Sequence, residues 1–233
     1  AGGAYSPDPA LAAGQAFRAA LAKALAGSGA QVAGEVVRGT APARAAELAG
    51  VQSAPVADQI DYMPQESDNY VAEVLARNTA LASGKPGSFG GGTEADREAV
   101  DRLGVPTQGM LITGASGLSL RNQVSTVQLA AVVAAITNGA NTALRAGLAG
   151  LPIAGLSGTL DSRYTEENQD GAGLVRAKTG TLNTVTALTG YVVTAENRLL
   201  VFSFVANGLQ DSTAQARAAA DRAATALAGC GCR

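Results

Sequence analysis

The sequence predicts an α+β fold, an antiparallel sheet flanked by helices, and three observations carry that expectation. Helical periodicity dominates the first two thirds of the chain. Three apolar runs, Leu174 to Ala177, Thr186 to Val193 and Arg198 to Asn207, then succeed one another through short turns, which favours antiparallel neighbours. An alanine-rich run, Ser212 to Ala228, closes the chain as a helix that can cover the sheet.

Asp8-Pro9 is the first helix start, with aspartate as the cap and proline at the first helical position. Leu11, Phe17, Leu21 and Leu25 then recur at helical spacing up to Gly27. Gln31 to Val37 reads as a short strand, and Ala45 to Gln52 is ambiguous. Pro55 to Met63 predicts a helix with Val56 and Ile60 on one face. A second runs from Ser67 to Leu81 with Tyr70, Val71, Val74 and Leu75 inward. Gly84 to Gly92 is glycine-rich and reads as a loop, and a short polar helix runs from Thr93 to Leu103. Gly109 to Thr113 is extended. Ser125 and Gln128 form a capping box for a helix from Thr126 to Thr137. Asn141 to Leu148 is a further short helix, Leu151 to Leu160 a loop, and Asp161 to Gly173 a polar, exposed stretch.

Composition narrows the function classes. With 233 residues, 47% of them hydrophobic, the chain can build one large core or two small ones. A net charge of −2 without a basic block argues against nucleic acid as a partner. No apolar run approaches the roughly 20 residues of a membrane span. The sequence opens at Ala1 without methionine, so removal of an N-terminal segment is expected. Cys230 and Cys232 admit three readings: a Cys-x-Cys disulfide, pairing elsewhere, or free thiols on a frayed tail. Two cysteines do not make a zinc site, and no metal or cofactor is expected.

The chain has no histidine, which removes Ser-His-Asp, Cys-His and His-x-Glu chemistries together. A nucleophilic enzyme without histidine takes its base from lysine, a carboxylate or a terminal amine, and lysine is the natural candidate, because burial or a second cation lowers its pKa. Of Lys23, Lys85 and Lys178, only Lys178 sits in a predicted strand that leads into small hydroxyl and glycine residues, Thr179-Gly180-Thr181. Such a strand at a sheet edge can accept an extended peptide. The two threonine hydroxyls and the lysine charge suit a terminal carboxylate. The bland reading of the same residues is a strand ending in a turn. Ser67 and Asn69 stand together at a predicted helix start, where Ser67 reads either as an ordinary N-cap or as a proton relay to a lysine. Ser116 lacks the glycine spacing of a hydrolase elbow.

In order, Ser67-Asp68-Asn69, Ser116-Gly117-Leu118-Ser119 and Lys178-Thr179-Gly180-Thr181 resemble the motifs of low-molecular-mass class C penicillin-binding proteins. These are D-alanyl-D-alanine carboxypeptidases/endopeptidases of the peptidase S13 type. Asp8-Pro9-Ala10, Gln65-Glu66, Leu151 to Gly155 and Gly158-Thr159-Leu160 extend the resemblance over almost the whole chain. It implies the fold shared by penicillin-binding proteins and serine β-lactamases. It also implies serine attack on a peptidoglycan stem peptide, with β-lactams trapped as acyl-enzymes. On that reading Ser67 shuttles protons, Asn69 holds the substrate amide and Lys178 sets the electrostatics. Thr179 and Thr181 grip the carboxylate beside Gly180, and the Thr181 N–H is one arm of an oxyanion hole. Arg163 either binds an acidic stem-peptide side chain or is a solvated loop residue. An exported protein of the cell envelope is implied.

Two departures qualify this resemblance. The family's nucleophile comes from Ser-x-x-Lys, yet the three lysines here are preceded three residues earlier by Ala20, Ala82 and Val175. Residues 1–233 are therefore expected to be the C-terminal part of a DD-peptidase domain, inactive alone. The segment carrying Ser-x-x-Lys and the inserted domains would lie outside the chain. Gly114-Ala115 also stand where the family usually has an acidic residue near Ser116. The alternative is a non-catalytic module that binds peptidoglycan peptides. A β-lactamase is less favoured, because no dedicated deacylation base is identifiable.

Overall fold

Asp8 caps the first helix as its sequence predicts, accepting from the Leu11 N–H at 3.0 Å. That helix, α1, runs Pro9–Ala24. The computed structural model describes residues 6–40, 42–47 and 49–231. These fall into two units, divided between Gln52 and Ser53. In the first unit, 31–37 is not a strand. A strand needs a partner ladder, and this segment has none among the described residues. Val36 instead lies over Gly14 of α1, where an added Cβ would come within 2.6 Å of it.

The second unit begins with α2 (Val56–Glu66) and α3 (Asn69–Ala82). Ser67 does not cap α3. Asp68 does, accepting from the Val71 N–H at 2.9 Å. Tyr70 and Val56 stay exposed, and the residues of α3 that are fully buried are Ala76 and Ala80. Helix α4 (Phe89–Arg102) begins four residues earlier than the glycines suggest. Ser88 caps it, and Gly91 and Gly92 are buried in its first turn. A Cβ on Gly91 would meet the Pro86 carbonyl oxygen at 2.0 Å, and one on Gly92 would meet Ala76 at 3.2 Å. These glycines are thus the contact surface between α3 and α4, a packing role that outweighs their poor helix propensity.

The predicted extended run at 109–113 reduces to one bridge, Leu111 with Gln123. The capping box is present as expected and opens α5 (Thr126–Thr137). The buried Gln128 amide also donates to the carbonyls of Pro106 and Gln108 at 3.0 and 3.1 Å. A 3-10 turn and α6 (Arg145–Ala149) come next.

Three strands form one antiparallel sheet in the order β1 (Val175–Leu182), β2 (Val185–Val193), β3 (Leu199–Ala206). Strand β1 continues past Ala177 through Lys178, Thr179, Gly180 and Thr181, which face Thr189, Leu188, Ala187 and Thr186 of β2. Helix α7 (Thr213–Ala228) covers one face. Val175, Ala177, Leu188, Val192 and Phe202 point to that face and meet Ala224 and Ala228. Burying each large aliphatic side chain there contributes about 1.5–3 kcal/mol. The stretch 161–173 is not simply exposed: Tyr164 and Gly171 are buried in it. Cys230 is disulfide-bonded, while Cys232 lies outside the described residues.

Candidate active site

Alternation along β1 divides its residues between two surfaces. Val175 and Ala177 point into the α7 core, so Lys178 and Gly180 point to the opposite face. That face opens into a cleft of about 680 Å³ between β1, the α2–α3 junction and the loop at 115–118.

Ser67 stands at the α2–α3 junction with φ 51°, in the left-handed region. A non-glycine residue there costs about 1–2 kcal/mol. The conformation ends α2 and turns the hydroxyl to Lys178, whose Nζ donates to Ser67 Oγ at 2.8 Å. The same Nζ donates to the Thr179 carbonyl at 2.8 Å. Both acceptors are neutral, and burial holds the Lys178 pKa below the ordinary lysine value. The other lysines differ: Lys85 is paired with Glu98 and Glu94 at 2.9 and 3.2 Å, and Lys23 is exposed. Asn69, in the first turn of α3, is exposed and lines the cleft.

The backbone of β1 supplies the other half of the site. Residues 152–154 cover the first part of its free edge, with the Ala154 N–H donating to Val175 O and the Ala177 N–H to Pro152 O, each at 3.0 Å. Odd-numbered residues of β1 therefore direct their backbone groups away from β2. By the same two-residue period, the N–H and C=O of Thr179 and Thr181 point to the part of the edge beyond that cover. The Thr179 hydroxyl donates to Thr159 Oγ1 at 2.9 Å. Thr159 sits in the 3-10 turn Gly158–Leu160. Gly158 has φ +56°, and a Cβ on it would meet Gln65 Oε1 at 2.5 Å, so this turn rests directly on α2. Gly180 lines the cleft, and its missing Cβ also lets Ala187 of β2 approach, at 3.3 Å from where that atom would stand.

The structure thus gathers Ser67, Asn69, Lys178, Thr179, Gly180 and Thr181 around one cleft. It does not bring Arg163 there. The Arg163 guanidinium binds both oxygens of Asp221 on α7, with side chains only 14% and 10% exposed. It is neither a solvated arginine nor a wall of the cleft. Sequence reasoning missed Thr159 and Glu73. Glu73 Oε1 accepts from the Ser116 N–H at 3.0 Å and from the Ser116 hydroxyl at 2.8 Å. The acidic group absent from 114–115 is thus supplied by α3. The available signal was spacing: Glu73 lies four residues after Asn69 and shares its helix face.

This arrangement has a positive, partly desolvated lysine, a relay hydroxyl and an uncovered strand edge. It can hold an extended peptide against β1 and move a proton through Ser67.

Known proteins resemble this chain over most of its length. The family described as D-Ala-D-Ala carboxypeptidase 3 (S13) matches residues 6–228. A carboxypeptidase DacB of Mycolicibacterium smegmatis is 37% identical over 229 residues, 97% of this chain and 48% of that protein. A D-alanyl-D-alanine carboxypeptidase of Actinomadura sp. strain R39 is 35% identical over 211 residues, 86% of this chain and 37% of its own length. The crystal structure of penicillin-binding protein 4 from Haemophilus influenzae, complexed with a β-lactam, superposes with a TM-score of 0.73 at 27% identity. That match covers 90% of this chain and 49% of the other. The fold is therefore the penicillin-binding-protein fold expected from the sequence, and the chain spans half or less of the length of these relatives.

Proposed function

The chain belongs to the D-Ala-D-Ala carboxypeptidase S13 family, and from that premise we propose that it is the C-terminal part of a serine-type DD-peptidase acting on peptidoglycan stem peptides. A segment outside the chain, carrying Ser-x-x-Lys, supplies the nucleophile. The observation that carries this reading is the Lys178–Ser67 hydrogen bond, 2.8 Å, beneath an open strand edge.

The peptide lies along β1 as an added strand. Its terminal carboxylate meets Thr179 and Thr181, with the Lys178 charge nearby. The Asn69 amide holds the penultimate amide group. The lysine of that outside segment takes the proton of the nucleophilic serine as the serine oxygen attacks the carbonyl carbon, and the oxyanion that develops is stabilised by the Thr181 N–H. The C–N bond then breaks, and the departing D-alanine amine takes a proton relayed through Ser67. Water cleaves the resulting ester and releases the enzyme. A β-lactam undergoes the same first step but leaves the acyl group in place. Carboxypeptidase and endopeptidase action differ only in the group on the amine side of the scissile amide. Leu129, Leu182, Val185 and Ala187 leave an apolar wall for the segment that delivers the serine. Such an enzyme acts in the cell envelope, after export.

Intact mass after incubation with benzylpenicillin tests this reading. The full-length protein is expected to gain one penicilloyl adduct, and residues 1–233 alone none. An adduct on 1–233 would place the nucleophile within this chain. No adduct on either would favour a non-catalytic peptide-binding module.

A further inference from the structure

We propose that Glu73 is a positioning residue for substrate affinity, holding the 115–118 loop as the cleft wall that faces the edge of β1. The proposal rests on the peptide-binding cleft described above. Ala115, Ser116, Gly117 and Leu118 line that cleft, opposite Lys178 to Leu182. The base of the loop is tied by the Leu111–Gln123 bridge and by Asn122 Oδ1, which accepts from the Thr113 N–H and hydroxyl at 2.8 and 2.9 Å. Its cleft-facing part is held by one carboxylate oxygen: Glu73 Oε1 takes both the N–H and the hydroxyl of Ser116, from 43 residues away in sequence.

The surroundings are built for this contact. Gly114 lies against the same oxygen: a Cβ there would stand 2.8 Å from Glu73 Oε1, so the carboxylate end would have to shift. The Gly114 backbone is not left-handed, so the contact with Glu73, not φ, is what a side chain there would disturb. Asp96 of α4 faces Glu73, and its pKa is raised by burial first and by the Glu73 charge second. Asn69 stands one turn before Glu73 on α3, so a single helix turn sets both the amide that meets the substrate and the wall behind it. The Lys178–Ser67 contact does not pass through this loop. Loss of Glu73 should consequently weaken binding and spare the chemical step.

The experiment uses the full-length protein and a peptide ending in D-Ala-D-Ala, measuring Kd, KM and kcat for Glu73→Ala, Glu73→Gln, Gly114→Ala and Ser116→Ala. Glu73→Ala is expected to raise Kd and KM about tenfold, the scale of a lost hydrogen bond to a charged group, with kcat little changed, and Gly114→Ala, which displaces the carboxylate without removing it, to raise them by less. Glu73→Gln keeps an acceptor oxygen and should restore most of the affinity. Glu73→Ala and Ser116→Ala together should cost little more than either alone, because they break one contact. Gly114→Ala leaves both hydrogen-bonding partners in place and guards against a folding artefact in Glu73→Ala. Unchanged Kd and KM in Glu73→Ala and Gly114→Ala would overturn the proposal while the proposed function stands. A loss confined to kcat, shared by Glu73→Gln, would overturn it too, since the charge would then act on the chemistry. If the wild-type protein binds the peptide without cleaving it, the enzyme reading falls and the Kd series still decides. If it neither binds nor cleaves, both fall together.

Discussion

Two cations, Arg163 and Lys178, are both drawn away from water, and their partners differ in kind. Arg163 is nearly buried and meets Asp221 with both ends of its guanidinium fork. Lys178 is half-buried and meets only a hydroxyl and a carbonyl. The arginine is neutralised where it sits, against α7. The lysine has no carboxylate partner among the described residues at the mouth of its cleft, and burial lowers its pKa. One arrangement serves the fold. The other costs stability and keeps a reactive group available, as expected where the site and not the core sets the residue.

The sharpest way to break this comparison is to remove each cation's setting in turn. In the full-length protein, Lys178→Met should lower the rate of penicillin acylation by about 10²–10⁴-fold, the range of acid–base and electrostatic contributions. Its melting temperature should stay level or rise. Asp221→Asn should do the reverse, costing about 3–5 kcal/mol because it leaves the guanidinium charge uncompensated. Below its lowered melting temperature, Asp221→Asn should acylate at an ordinary rate. A calorimetric scan beside a penicillin-binding assay reads both.

Ser67 sharpens the same contrast on a smaller scale. Its φ of 51° suits glycine, so Ser67→Gly should be more stable than Ser67→Ala by about 1 kcal/mol. Both should acylate more slowly than the wild type. Equal stability of the two variants would mean that the left-handed turn stores no strain.

The smallest effects are in pH dependence. The folded pKa of Lys178 lies below its unfolded value, so its contribution to stability grows as pH rises from the lowered value towards 10.5. Lys178→Met should flatten that alkaline rise. Asp96 has the opposite sign: its folded pKa is raised above 3.8, so its contribution is present at acid pH and is lost as pH climbs through the folded value. Asp96→Asn should remove that loss. Urea midpoints across the pH range measure both.

Much of the fold was legible because its signals are local. The Asp8-Pro9 start, the Ser125–Gln128 capping box, the β-rich runs and the closing alanine helix all act within one turn or one strand. The failures have a shared cause. Gly91 and Gly92 read as loop because the contacts they make with Ala80 and Ala76 lie on another element, α3. The valines at 32, 36 and 37 suggested a strand that has no partner among the described residues. At the site, Ser67, Asn69 and Lys178 to Thr181 could be read as motifs, yet the 2.8 Å contact joining Ser67 to Lys178 spans 111 residues. Glu73 escaped and Arg163 was given the wrong role for the same reason, since their partners lie 43 and 58 residues away.

The role of Lys178 is tested most directly by the rate of benzylpenicillin acylation in the full-length Lys178→Met protein, measured by intact mass beside a thermal melt. The expected adduct forms at least about a hundredfold more slowly than in the wild type, on a protein no less stable. An adduct forming at the wild-type rate would contradict that role, since Lys178 would then be one more buried cation and not part of the chemistry.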